Sequence, residues 1–308
     1  MINASAQLKI RLLGAPEIEI AGAPLLTFHN YKARALLFYL AATGQSHTRD
    51  HLATLLWSES PDSNARHSLR TSLYHLRQVL HAQEASELLM ADGDLVYLKI
   101  GDDACDIRQF HKLLTAGSES ALVEAVSLYH GIFLQGLTIT DAPVFEEWVR
   151  FEETRLNRAY LGALQQLASL AEDRQSWEEA IDYVQHMVRL DPLAEEIQRQ
   201  LIQLYVRSGA IGKALRHYHQ FETQLNQELD VAPSPETQAL FHEILSLQPS
   251  TMSLAKTSSL LSTICFHDDF AGSPSRSTLV IWFRIVDGIA HSAIIHWKHL
   301  ACLRCCHS

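Results

Sequence analysis

Two stretches of this chain repeat each other at a fixed offset of 34 residues. Leu167, Leu170 and Ala180 correspond to Leu201, Leu204 and Ala214. The string Ser176-Trp177-Glu178-Glu179-Ala180-Ile181 has its counterpart in Ala210-Ile211-Gly212-Lys213-Ala214-Leu215. That period is the length of a tetratricopeptide unit, a pair of antiparallel helices with small residues where they cross. One such pair cannot bury its apolar face alone, so neighbouring units must stack. From Asp106 to about Leu247 the pattern is almost wholly helical. Asp191-Pro192 ends one unit, Gly209 sits in the turn of the next, and a less regular unit lies at Ala121 to Phe133. Stacks of this kind are ordinarily binding scaffolds, not catalysts.

The remaining length allows a second domain, since 308 residues hold two ordinary cores. Met1 to Lys9 is polar and lacks a signal-peptide pattern. No run of about 18 uncharged apolar residues exists to span a membrane; Leu279 to Ile295 is interrupted by Arg284 and Asp287. Five cysteines, three of them in the last seven residues, do not form a disulfide framework, which fits a reducing cytoplasm. The net charge of −10 argues against nucleic acid until it is divided along the chain. Residues 1–104 carry −2, residues 105–249 carry −10 and the tail +2. Between Ser63 and Gln83 there are three arginines, three histidines and no acid. A local basic stripe, not the global sign, is what a DNA footprint needs.

That stripe lies in a recognisable order of elements. Leu8 to Leu13 alternates up to Gly14, Glu17 to Ile20 alternates again, and Ala21-Gly22-Ala23-Pro24 turns the chain so that Leu25 to Phe28 can return. These are the marks of a small antiparallel sheet. A helix is expected from about Tyr31 to Ala42, with Gly44 past its end. A second follows, capped by Thr48 and carrying Leu52, Leu55, Leu56 and Trp57. The third, capped by Asp62 or Ser63, runs to about Leu80. At about 100° per residue, Leu69, Leu73, Leu76 and Leu80 share one sector. Arg66, Arg70, Tyr74 and Arg77 share the adjacent one, with His67 and Thr71 beyond. Taken alone this is an ordinary solvated helix face. However, Leu88 to Met90 and Leu95 to Ile100 flank Ala91-Asp92-Gly93-Asp94, and Asp-Gly between two apolar runs is a hairpin signal. Three helices followed by a hairpin is the winged-helix order, which places the third helix in the major groove and the hairpin tip beside the backbone. Arginine suits that groove because its planar fork meets a phosphate or a guanine edge bidentately. The six residues expected at the interface are Arg66, His67, Arg70, Thr71, Tyr74 and Arg77.

Several of these strings together resemble one family. Leu8-Lys9-Ile10-Arg11-Leu12-Leu13-Gly14 is similar to the opening strand of the SARP-type regulators (antibiotic regulatory proteins). Lys32-Ala33-Arg34-Ala35-Leu36-Leu37 resembles their first-helix motif, and Leu55-Leu56-Trp57 their second-helix ending. Ala65 to Arg70 and Leu76 to Leu80 resemble their recognition helix. The middle resembles the bacterial transcriptional activator domain, through Tyr129 to Leu134, Trp148 to Leu156, Leu190 to Glu195, Tyr205 to Gly209, Ala214 to Tyr218 and Glu228 to Thr237. The likeness covers about residues 8–247. It implies sequence-specific binding to double-stranded DNA, often at direct repeats, with the helical domain dimerising or contacting RNA polymerase. By the motif match, Arg66, Arg70 and Arg77 are the groove and phosphate contacts. Family members often have glycine where this chain has Asp230. Larger relatives continue into a nucleotide-binding domain, but this sequence has no Gly-x-x-x-x-Gly-Lys loop, so no ATP site and no cofactor are expected.

The fold class expected is therefore mainly α. A winged helix-turn-helix (α+β) over residues 1–104 precedes an all-α, tetratricopeptide-like domain over 105–247, and residues 248–308 are an unassigned tail. The cysteines and histidines from His296 to His307 lack a second cysteine pair on an opposing element, and the tail reads instead as a poorly ordered or frame-shifted ending. An enzyme is not expected. His217 and His219 lie two apart on a helix and face different ways, and Glu146-Glu147 and Glu152-Glu153 read as solvated charges. Cys105 reads as a small packed residue. Metalloprotease and nucleophile-elbow motifs are missing. Two alternatives stay open: a protein-interaction adaptor dominated by the repeat groove, and a fragment of a larger ATP-dependent regulator.

Overall fold

Alternation in the first strand, β1 (Leu8–Arg11), turns Leu8 and Ile10 inward and Lys9 and Arg11 outward. It pairs antiparallel with β2 (Glu17–Ile20), which pairs in turn with β3 (Ala23–Pro24). The computed structural model describes residues 8–25 and 30–247, with the backbone of two short strands beyond them. The return expected over Leu25 to Phe28 is thus confined to Ala23–Pro24, and residues 26–29 lie outside the described residues.

Helix α1 (Tyr31–Thr43) is capped by Asn30, whose side chain accepts the Ala33 N–H at 3.1 Å. It ends at Gly44 in the left-handed conformation. Every residue from Ala35 to Ala41 is buried, so this helix is enclosed on all sides rather than amphipathic. Helix α2 (Arg49–Trp57) is capped by Thr48 as expected. Helix α3 spans Asp62–Ala82, two residues beyond the expected end. Asp62 is already helical and Pro61 occupies the cap position without a side-chain bond, so neither Asp62 nor Ser63 caps it. The hairpin β5 (Leu89–Asp92) and β6 (Leu95–Leu98) follows. Its two-residue loop is Gly93-Asp94 rather than Asp92-Gly93. Gly93 takes a φ of 57° and Asp94 does not, the pattern of a turn with glycine at its first central position. A short strand β4 (His47–Thr48), unforeseen from the sequence, adds to β6 and completes a three-stranded wing sheet.

The helical part begins with α4 (Asp106–Ala116) and α5 (Glu119–Leu128). Residues 129–142 are not helical. They return to the first sheet, where Leu134 N–H donates to Leu12 carbonyl at 2.9 Å and Gln135 N–H to Gly14 carbonyl at 3.0 Å. Helix α6 (Pro143–Asp173) is 31 residues long, about 46 Å at 1.5 Å per residue. Near its start Trp148 meets Tyr39 of α1 edge-on at 4.8 Å, and its later half begins the repeats. Helices α7 (Trp177–Leu190), α8 (Glu195–Arg207) and α9 (Ile211–Leu229) stack successively on it. Helix α10 (Pro235–Leu247) closes the stack, with Phe241 parallel to Tyr218 at 4.1 Å. The 34-residue offset holds in space: α7 and α9 open at equivalent positions, and Ala180 and Ala214 are both fully buried. Leu170 departs from the pattern at 37% exposure, whereas its counterpart Leu204 is buried.

One apolar core runs from Leu8 through the winged helix to Ile244, and residues 1–249 form a single unit. Residues 250–308 form a second, of which only β7 (Val280–Ile281) and β8 (Ala293–Ile294), an antiparallel pair, are described. The expectations for the tail, including its Cys/His cluster, lie outside the described residues.

Candidate nucleic-acid interface

Helix α3 separates its two faces cleanly. Ala65, Leu69, Ser72, Leu73, Leu76 and Leu80 are buried at three- and four-residue spacing. Leucine at those positions packs α3 on α2 and α1, while Ser72 receives the Asn30 amide at 3.4 Å. All six expected contact residues (Arg66, His67, Arg70, Thr71, Tyr74 and Arg77) are exposed on the other side; Tyr74 is 58% exposed. From Arg66 to Arg77 the helix rises about 16 Å, more than the roughly 12 Å width of a major groove.

The six differ in how they are held. Arg66 donates from Nε and Nη2 to the two carboxylate oxygens of Asp50 on α2, at 2.8 and 3.0 Å. The hydrogen bond and charge of Asp50 raise the guanidinium above its ordinary value. Arg70 and Arg77 have no ion pair among the described residues. Thr71 turns its hydroxyl onto the His67 carbonyl one turn back, at 3.1 Å, so its proton is already committed. Tyr74 lies edge-on to His75 at 5.9 Å between ring centres. None of the three arginines is drawn to the acidic repeat domain. Five acids there (Glu119, Glu152, Glu172, Glu179 and Glu195) are met by Arg174, Arg155, Arg207 and Arg199 of that same domain, and Asp141 by Lys32 of α1.

The wing is chemically less suited to phosphate than its position implies. Its tip carries Asp92 and Asp94 and no cation, and Lys99 lies at its base. The Asp94 carbonyl accepts the Arg49 N–H at 3.0 Å, tying the tip to the start of α2. Two basic residues of the first-helix motif are likewise structural. Lys32 donates to the Leu56 carbonyl at 2.8 Å and pairs with Asp141 at 2.8 Å, with only 13% of its side chain exposed. Arg34 donates to the Pro16 carbonyl at 3.1 Å. Asp50 and Lys32 carry roles that no local pattern announces, since their partners lie 16 and 109 residues away.

Elsewhere the side chains answer to packing. Cys105 is buried, and burial pushes its thiol up to about 12, which leaves it unreactive. His217 meets the Gln198 amide oxygen at 2.6 Å while His219 turns out to Glu222. Glu146 is not a free surface charge, because it accepts the Ile139 N–H at 2.6 Å, and Glu152 is held by Arg155. Among the described residues, no group of three or more His, Cys, Asp or Glu is placed to hold a metal. No described helix is long and apolar enough to cross a membrane.

Residues 105–245 match the family model described as the bacterial transcriptional activator domain. The chain is 25% identical over 256 residues to the transcriptional regulatory protein MoaR1 of Mycobacterium tuberculosis, covering 78% of this chain and 80% of that one. It is 24% identical over 255 residues to the regulatory protein AfsR of Streptomyces coelicolor, covering 82% of this chain but a quarter of AfsR. Among solved structures, Mycobacterium tuberculosis EmbR in complex with a low-affinity phosphopeptide matches with a TM-score of 0.59 and 26% identity, over 83% of this chain and 71% of that one.

Proposed function

We propose that this chain is a transcriptional regulator of the SARP type, as its match to the bacterial transcriptional activator domain at residues 105–245 and its regulator relatives support, and that α3 is the element that reads DNA sequence. The opposition of a buried leucine seam to exposed arginines on that helix carries this reading. Residues 1–104 act as the winged-helix reader and residues 105–247 as the activator domain, which serves dimerisation or contact with RNA polymerase in the cytoplasm. Arg66, His67, Arg70, Thr71, Tyr74 and Arg77 form the contact surface. The N-terminal part of a recognition helix meets base edges, and residues further along reach the backbone. Arg70 therefore belongs to the groove. Arg77, about 16 Å from Arg66, belongs to the phosphates at its rim. Phosphate contacts supply most of the affinity, and the groove contacts supply sequence choice.

The test is a selected site measured against an unrelated duplex across a salt series. Arg70→Ala is expected to cost about 1–3 kcal/mol on the selected site and little on the unrelated one. Arg77→Ala is expected to weaken both similarly and to reduce the salt slope by about one. Equal loss on all sequences for Arg70→Ala would reduce that residue to a phosphate clamp. No salt-dependent affinity for any duplex would remove the reading altogether.

A further inference from the structure

Asp50 is a carboxylate on the surface that α2 and α3 offer to DNA, where an isolated acid would only repel phosphate. It is not isolated. Its two oxygens take parallel hydrogen bonds from Arg66 Nε and Nη2 at 2.8 and 3.0 Å, a fork-to-fork pair. Both side chains are about 60% exposed, so the pair stands open to a ligand. Arg66 begins the second turn of α3, within the part of a recognition helix that meets base edges. Arg70 and Arg77, on the same face, have no such partner among the described residues.

The chemistry of guanidinium decides what this arrangement leaves free. Of its five N–H groups, Asp50 occupies Nε–H and one on Nη2. The opposite edge keeps two parallel N–H groups, one on each Nη, pointing away from the carboxylate. That edge matches the O6 and N7 acceptors that guanine alone presents side by side in the major groove. Its charge is largely neutralised by Asp50, so its gain from phosphate is small, while its direction is set before binding.

We propose that Asp50 is a positioning residue that orients Arg66 to read one guanine in the major groove. This rests on α3 being the DNA-reading element. Arg66 thereby contributes sequence choice, whereas Arg77 contributes charge.

The experiment uses the full chain, a duplex selected from a randomised pool, single base-pair changes of each guanine in it, and an unrelated duplex, over a salt series. Asp50→Ala is expected to lower discrimination at one guanine by at least about fivefold. It should leave binding to the unrelated duplex unchanged or tighter, with no fall in salt slope. Arg66→Ala should lose discrimination at the same base pair, and the double variant should lose no more than Arg66→Ala alone. Asp50→Asn, which keeps one acceptor oxygen, should fall between wild type and Asp50→Ala. Tighter binding of Asp50→Ala to every sequence with discrimination intact would make Asp50 a brake on phosphate contact and overturn the proposal. So would additive losses in the double variant. Failure of the wild-type chain to bind any duplex would instead remove the DNA-reading assignment of α3 on which the proposal stands.

Discussion

Single residues at the seam between winged helix and activator domain hold more of this molecule together than their number implies. Asp106, at the start of α4, accepts the N–H groups of Leu12 at 2.7 Å, Leu13 at 2.8 Å and its neighbour Ile107 at 2.8 Å. Burial pushes its carboxyl up, and those three donors pull it partly back. Asparagine is nearly the same size but would turn an amide donor toward backbone donors. Asp106→Asn is therefore expected to cost about 1–3 kcal/mol of folding stability, read by urea denaturation. A neutral result would mean that the Asp106 carboxylate is not what holds Leu12 and Leu13. Asp230 closes α9 with a φ of 56°, in the left-handed region. Glycine reaches that conformation without the side-chain cost that aspartate bears there. An aspartate at this helix end is thus a backbone matter, remote from α3 in the sequence.

At the scale of elements, α3 must do two things, and the same sequence pattern serves both. Leu73 and Leu76 are 1% and 0% exposed, so truncating either opens a cavity at the packing of α3 on its neighbours. Leu73→Ala is expected to cost about 2–5 kcal/mol of stability and to take DNA binding down with the fold. Arg70→Ala should weaken binding with an unchanged melting temperature. A Leu73→Ala chain as stable as wild type would show that the seam is not what seats this helix. The periodicity that exposes α3 is also why the helix was legible. Apolar residues at three- and four-residue spacing dictate an inside, and the charged residues between them follow. The wing was legible only in part. The glycine announced a hairpin, yet the register shifted by one residue, and β4 joined it through His47–Val96 and Thr48–Leu95, pairs 49 and 47 residues apart.

For the whole molecule, the telling feature is a set of histidines with lowered proton affinity, spread along the described residues. His47, His111, His186 and His217 are all held below the usual histidine value of 6.5, chiefly by burial; a neighbouring His51 adds to it for His47, Arg155 for His111 and Arg189 for His186. Each bonds to a neighbour: His47 to Thr43, His111 to Arg155, His186 to Tyr160 and His217 to Gln198. The unfolded chain binds more protons than the folded one between the lowered values and about 6.5. Their contribution to stability is thus full above about pH 6.5 and is lost as pH falls below it. Melting temperature is expected to drop between pH 7 and 5.5, and His217→Gln to remove part of that slope. A melting temperature flat over that range would contradict it.

Taken by itself, the sequence determined the helical repeat, the winged-helix order and the exposed face of α3, because each rests on spacings within a few turns or on one fixed period. The tertiary structure alone decided that 1–104 and 105–247 share a core, that Lys32 is a joint and that Asp50 grips Arg66. Those facts depend on partners 16 to 109 residues apart. Local pattern records which face of an element is apolar, and only the packed chain determines which distant group comes to meet it.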